Sequence, residues 1–142
     1  MPEQLSFENV NIYYNRIVND GKPDNNKDLS ARLYLYLTQI RILGNPTMSE
    51  LASSVGVSKP AVSNAVKKLH EMGLVGVQES TKDRRVSHLC ISNTGKEVLE
   101  VLDSADQQFF RKIEEILGDD DFKLFANLWE RISRGLEEEN NS

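Results

Sequence analysis

The sequence lacks the features that several classes of protein require. Cys90 is the single cysteine among 142 residues, which excludes an intramolecular disulfide and a cysteine-rich metal cluster. The first residues contain no basic segment followed by an apolar run, the pattern of a secretory signal. The most apolar stretch, Leu33 to Leu43, is interrupted by polar residues and is too short to span a bilayer. We therefore expect a soluble, cytoplasmic protein that does not associate with membranes.

Catalytic and metal-binding patterns are also missing. His70 and His88 are separated from each other and from any cysteine pair, which argues against a metal site. No nucleophile has a neighbouring base, and there is neither a pair of carboxylates nor a glycine loop for phosphates. Cys90 could serve as a redox switch, but it has no adjacent cation to stabilise a thiolate, so we expect a structural role. The sequence predicts no enzyme activity, no metal and no cofactor.

The charged residues are unevenly distributed along the chain. The net charge is −5, yet residues 58–85 contain six basic and three acidic residues, a local charge of +3. The rest of the chain therefore carries −8, the difference between these two values. A basic stretch in an acidic body is typical of a nucleic-acid contact, and equally of a solvated surface. Charge alone leaves both interpretations open.

Hydrophobic spacing and capping residues predict a mainly helical chain. We expect helices over 5–19, 28–43, 48–55, 58–72 and 92–117, and a last helix from 119 that frays from Glu137 onwards. Two short β-branched runs, 74–80 and 86–92, flank a polar tip and predict a hairpin.

Residues 47–73 have the spacing of a helix-turn-helix. Ala52 is the small residue needed where two helices cross, Gly56 permits the tight turn, and Val62 lies opposite on the second helix. The outer face of that helix is polar and basic, as a helix in a major groove requires, and Asn64 could pair with adenine. The candidate DNA contacts on this helix are Ser58, Lys59, Ser63, Asn64, Lys67 and Lys68. An ordinary amphipathic helical hairpin with a solvated basic face is the alternative.

A hairpin directly after a helix-turn-helix predicts a winged helix. Its tip consists of Lys82, Asp83, Arg84 and Arg85. Arginine is attracted by the negative potential of a minor groove, and Asp83 could orient Arg85 through a charge-assisted hydrogen bond. The alternative is a surface ion pair of little energetic weight.

The sequence resembles the MarR family of transcription regulators. The resemblance rests on SELASSVGVSKPAVSNAVKKLHEMGLV, on the wing residues DRR followed by VSHLCIS, and on TGKEVL, within residues 47–100. It implies a winged helix whose terminal helices interlock with those of a second subunit. It also implies base contacts by Ser63 and Asn64, and a minor-groove contact by Arg85 that Asp83 braces and Arg84 supplements.

The resemblance further implies a small anionic effector, aromatic or phenolic in character. Such a molecule would bind beside the helix that carries Arg32, Tyr34, Tyr36 and Arg41, although for each of these residues taken singly a role as a core aromatic or a solvated arginine is the better interpretation.

The terminal helices carry more apolar residues than a small winged helix can bury. We predict a homodimer rather than a monomer whose terminal helices cover the winged helix, because one recognition helix reads too few bases. Its operator would be pseudo-palindromic, with half-sites about 34 Å apart. The candidate dimerisation residues are Val10, Tyr13, Tyr14, Ile17, Phe109, Phe122, Phe125 and Trp129.

The sequence therefore predicts a mainly α-helical winged helix-turn-helix protein with a two-stranded β wing. We expect a single domain over 1–142, with a DNA-binding core at 46–92 and dimerisation helices at 1–45 and 93–142. The expected function is sequence-specific binding of duplex DNA by a ligand-responsive repressor. The alternative is a winged-helix protein-interaction module that does not bind DNA.

Overall fold

The computed structural model describes residues 5–21, 29–79, 82–83 and 86–140. Within these residues the chain forms six α-helices and one two-stranded antiparallel sheet. In chain order the elements are α1 (Glu8–Gly21), α2 (Ala31–Leu43), α3 (Met48–Val55), α4 (Lys59–Glu71), β1 (Val75–Glu79), β2 (Ser87–Ile91), α5 (Asn93–Leu117) and α6 (Asp119–Asn140). This composition and order confirm the predicted mainly helical winged-helix fold.

The chain divides into two compact units. One comprises Met1–Gly21 with Val101–Ser142, and the other comprises Lys22–Glu100, so α5 contributes residues to both. The second unit, which we call the winged-helix unit, contains α2 to β2 and the beginning of α5. The first, which we call the terminal-helix unit, contains α1, the remainder of α5, and α6. The expected single domain with dimerisation helices at its two ends stays a prediction.

The winged-helix unit has a core formed where α2, α3 and α4 contact one another and where β2 contacts α2 and α3. Each of these elements contributes side chains with almost no exposed surface. These are Leu37, Ile40, Leu51, Val62, Leu69, Leu74 and Leu89. Their burial is the main source of stability, because apolar surface removed from water stabilises by about 25 cal/mol per Å².

Capping residues explain where the helices begin and end. Helix α2 starts at Ala31, three residues later than expected, because Ser30 accepts a hydrogen bond at its Oγ from the Leu33 N–H at 3.2 Å. It ends at Leu43 and is capped by Gly44, whose φ of 67° lies in the left-handed region. Helix α6 continues to Asn140, so the expected fraying from Glu137 onwards was wrong for residues 137–140.

The two strands pair in the register Val75 with Ile91 through Glu79 with Ser87. The base of this wing is tied to the start of α5 through Ser92. Its N–H donates to the Leu74 carbonyl at 3.0 Å, and its Oγ donates to the Gly73 carbonyl at 2.6 Å. The wing therefore starts from a fixed point beside the end of α4.

A continuous chain of aromatic rings connects the helices of the terminal-helix unit. Tyr13 and Tyr14 of α1 contact Phe109 of α5, with ring centroids 6.4 and 5.9 Å apart. Phe110, the next residue of α5, lies 5.6 Å from Trp129 of α6. The two edge-to-face pairs, Tyr14 with Phe109 and Phe110 with Trp129, each add about 0.5–1.5 kcal/mol beyond simple burial.

Candidate nucleic-acid interface

The turn between α3 and α4 has the geometry of a helix-turn-helix. Gly56 has a φ of 75°, and its N–H donates to the Ala52 carbonyl at 2.9 Å. A residue with a side chain would be strained at this φ. Ala52 and Val62 are both buried, as the helix crossing requires. The predicted roles of these three residues in the turn are confirmed.

The orientation of α4 is fixed by its cap and its buried side. Ser58 accepts a hydrogen bond at its Oγ from the Ala61 N–H at 3.3 Å, and Pro60 occupies the first turn. The buried residues of α4 are Val62, Ala65, Val66 and Leu69. Because these side chains hold one side of the helix against the core, the opposite side faces solvent.

The solvent side of α4 carries the polar and basic residues that the spacing predicted. The exposed candidates are Ser58, Lys59, Ser63, Asn64, Lys67 and Lys68. No acidic side chain interrupts this face before Glu71, the last residue of the helix. We call this set, from Ser58 to Lys68, the recognition face; its contact with DNA stays a prediction.

The tip of the wing is only partly described. Lys82 and Asp83 are exposed, and the Val86 N–H donates to the Asp83 carbonyl at 3.1 Å. Arg84 and Arg85 lie outside the described residues. The predicted ion pair between Asp83 and Arg85, and the minor-groove contact, therefore stay predictions.

A cavity of about 420 Å³ lies between α2 and α4 in the winged-helix unit. It is lined by Ser30, Arg32, Leu33, Tyr36, Ala61, Asn64, Ala65 and Lys68. Its volume suits a small organic molecule. Of the residues expected beside an effector, Arg32 and Tyr36 line the cavity; Tyr34 is buried in α2, where burial raises the pKa of its phenol.

Two residues of the recognition face, Asn64 and Lys68, also line this cavity. The sequence predicted only a DNA contact for each of these two residues. No signal in the sequence indicated their second position, because it depends on how α2 packs across α4. The cavity thus joins two basic side chains, Arg32 and Lys68, with the amide of Asn64.

The candidate dimerisation residues lie in the terminal-helix unit with different exposures. Val10 and Trp129 are 41% and 43% exposed, and Tyr13, Tyr14, Ile17, Phe122 and Phe125 are half-buried. Phe109 is buried against the two tyrosines of α1 within its own protomer. The exposed apolar residues of α6 also include Leu124, Leu128, Ile132 and Leu136. These four residues are not among the dimerisation residues that the sequence predicted.

Other candidate sites are few in the part of the chain that the structure describes. Cys90 is a half-buried free thiol in β2. Among the described residues, no three acidic, histidine or cysteine side chains come close enough to hold a metal ion. No helix of that part is long and apolar enough to cross a membrane.

The family comparison matches the part of the chain that carries this geometry. A model of the MarR family matches residues 29–87, from the buried Leu29 through α4 to the first residue of β2. This segment of the chain is therefore similar to the MarR family. The recognition face and the turn that positions it both lie within the matched segment.

Individual proteins resemble this chain in sequence or in fold. The chain is 26% identical over 131 residues to the uncharacterized HTH-type transcriptional regulator YdgG of Bacillus subtilis, covering 85% of this chain and 84% of YdgG. The S. aureus MepR–DNA complex has a TM-score of 0.71 at 16% identity, covering 90% of this chain and 96% of MepR. PcaV from Streptomyces coelicolor, in complex with its natural ligand, has a TM-score of 0.57 at 17% identity, covering 89% and 85%.

Proposed function

We propose that this chain is a MarR-family regulator that binds duplex DNA as a homodimer in a sequence-specific manner. The observation that carries the proposal is the recognition face, a polar and basic surface on a helix whose other side is fixed in the core. The structure of MepR with DNA, which has the same fold, supports it. The overall charge of −5 is compatible, because the basic residues concentrate at 58–85.

The residues of the recognition face divide by chemistry. The Asn64 amide both donates and accepts, so it can pair with the N6 and N7 edge of adenine. Ser63 lies beside it and can reach a base or a phosphate. Lys59 and Lys67 are point charges suited to phosphates, which position the protein without reading sequence.

A second copy of the chain is the proposed partner of the terminal-helix unit. Its α6 exposes Leu124, Ile132 and Leu136 to the extent of 60%, 56% and 58%, and Leu5 and Phe7, which precede α1, are 89% and 75% exposed. Exposed apolar side chains that recur along one helix are typical of an interaction surface. Two-fold symmetry would then place two recognition faces on half-sites about 34 Å apart.

Repression by occupying a promoter is the proposed mode of action, with the cavity between α2 and α4 as the effector site. Arg32 and Lys68 would hold an anionic group, and Tyr36 with Leu33 would contact an aromatic ring. The ligand complex of PcaV supports an effector of this kind. Because Lys68 and Asn64 belong to both surfaces, an effector in the cavity would take up side chains that DNA requires.

Selection from a random-sequence duplex library tests the DNA-binding proposal. We expect the wild-type protein to select a pseudo-palindrome, and Asn64→Ala to bind it about 5- to 100-fold more weakly with relaxed preference at one base pair of each half-site. Asn127→Ala, the same change at an exposed position of α6, is the matched control and should bind as wild type.

The salt dependence of binding distinguishes DNA binding from the alternative function, a winged-helix module that binds another protein. Binding through several lysines must weaken steeply with added salt, with a slope set by the number of phosphates neutralised. If the protein selects no duplex, the proposal is wrong, and a winged-helix module that binds another protein becomes the better interpretation.

Calorimetry with 4-hydroxybenzoate as the probe tests the effector site. We expect Arg32→Gln to weaken binding of the probe, because it removes a cation from the cavity, and Arg41→Gln, on the same helix but outside the cavity lining, to leave it unchanged. The probe should also release DNA from the wild type. Equal effects of the two substitutions would contradict the assignment of this cavity.

A further inference from the structure

The strand β2 is fastened to the loop that precedes α3 by two hydrogen bonds from consecutive residues. The Leu89 N–H donates to the Pro46 carbonyl at 2.8 Å. Nδ1 of His88 lies 2.9 Å from the Asn45 carbonyl oxygen. A carbonyl oxygen can only accept, so Nδ1 carries the proton and donates to it.

The two bonds have different consequences for the wing. Leu89 is buried, and its backbone bond attaches the core-facing side of β2 to the loop at one point. The His88 bond lies one residue nearer the wing tip and uses a planar ring with few rotatable bonds. It therefore adds a point of attachment nearer the tip to the Leu89 bond and to the Ser92 bonds at the base, and so helps to define the direction in which the wing leaves the winged-helix unit.

The loop that accepts these bonds is itself well fixed. Asn45 has a φ of 54°, a conformation that costs energy for a residue with a side chain and persists where neighbouring contacts maintain it. Pro46 is fully buried, and Thr47 caps α3 by accepting from the Glu50 N–H at 3.1 Å. The Asn45 carbonyl therefore has a constant position relative to the start of the helix-turn-helix.

We infer that His88 is a positioning residue for DNA binding, which aligns the wing with the recognition face by holding β2 on the Asn45 carbonyl. This inference rests on the proposed DNA-binding function. The bond lies at the surface, so its loss costs the fold little. Loss of the bond would instead increase the conformational freedom of the wing. Contact of the wing tip with DNA would then have to remove this freedom, which weakens binding.

Fluorescence anisotropy with the duplex selected by the wild-type protein tests this inference. We expect His88→Ala to bind about tenfold more weakly, since the two wings of a dimer would each lose an ordering hydrogen bond worth about a threefold factor. His88→Asn retains a donor at the position of Nδ1 and should recover most of the affinity. Asn45→Gly keeps the carbonyl and suits the positive φ, so it should bind as wild type.

A double-mutant cycle with Arg85→Ala separates positioning of the wing from a structural role. If His88 acts through the wing tip, adding His88→Ala to Arg85→Ala should weaken binding by less than about twofold. A full tenfold loss in that background would overturn the inference. So would a loss of cooperative unfolding in His88→Ala that His88→Asn does not restore.

The possible failures of the two proposals are distinguishable. If the wild-type protein selects no duplex, both the proposed function and the role of His88 are overturned. If the wild type binds a selected duplex and His88→Ala binds it equally well, DNA binding stands and only the role of His88 is overturned.

Discussion

Gly95 is the position where the structure predicts the sharpest effect of a single methyl group. It lies in the first turn of α5, at the base of the wing. A Cβ at this position would lie 2.2 Å from the Leu74 carbonyl oxygen and 2.7 Å from Cγ2 of Ile91. The closer neighbour is a backbone atom, which cannot rotate away, so the Gly95→Ala protein must move α5 away from the wing.

Two destabilising contributions and one stabilising contribution determine the expected change in the free energy of unfolding. Overpacking of this kind destabilises by about 1–3 kcal/mol, and the same movement stretches the hydrogen bond from the Ser92 N–H to Leu74, worth about 1 kcal/mol. Alanine in a helix returns about 0.5–1 kcal/mol relative to glycine. These terms sum to an expected decrease of about 1–3.5 kcal/mol in the free energy of unfolding of Gly95→Ala. In a chain of this length the midpoint of thermal unfolding would fall by about 8 °C.

Urea and thermal unfolding of the two proteins at one protomer concentration measure this difference. Gly135→Ala is the matched control, because Gly135 also lies within a helix, α6, and a Cβ at this position has no neighbouring atom within 4 Å. That variant should gain about 0.5–1 kcal/mol from helix propensity. If Gly95→Ala were as stable as the wild type, the close contact between α5 and Leu74 would be refuted.

Three further substitutions test the cap, the buried phenol and the terminal helices. Ser58→Ala removes the side-chain cap of α4 and should lower the free energy of unfolding in urea by about 1 kcal/mol; no change would mean that the cap contributes nothing. Burial raises the pKa of Tyr34 above its ordinary 10.0, so the stability it contributes is fully present below about pH 10 and falls as pH rises through the folded pKa. Tyr34→Phe should therefore flatten the loss of stability in alkaline urea titrations, and an unchanged slope would contradict the burial. Trp129→Glu places a charge on the apolar side of α6 and should shift the protein from dimer to monomer in sedimentation equilibrium, whereas an undisturbed dimer would exclude this surface from the interface.

Much of the winged-helix unit could be predicted because its signals are local. Capping and turn residues act within a few positions, as Thr47 does at the start of α3, Gly56 at its end and Ser58 at the start of α4. The helical spacing of apolar and polar residues along α4 distinguished the side that faces the core from the recognition face. The start of α2 was missed because Ser30, which caps it, stands among other polar residues that could have capped an earlier start.

Features that depend on packing between distant segments could not be predicted. The apolar spacing of α5 places Phe109 on a seam, but spacing alone does not distinguish a contact within the protomer from one between subunits. The second position of Asn64, in the wall of the cavity, follows from α2 lying across α4. The bond from His88 joins residues 43 positions apart, and no sequence pattern marks it.

The central claim, that the recognition face binds DNA, is tested most directly by an anisotropy titration with duplex DNA from immediately upstream of the protein's own gene. The titration is performed at several salt concentrations with excess nonspecific competitor. We predict saturable binding of one dimer per site that survives the competitor and weakens steeply with salt, with a slope reduced by about 1 for each phosphate-contacting lysine replaced by alanine, Lys67 first. Absence of binding to this duplex and to every duplex of a random-sequence library would contradict the account.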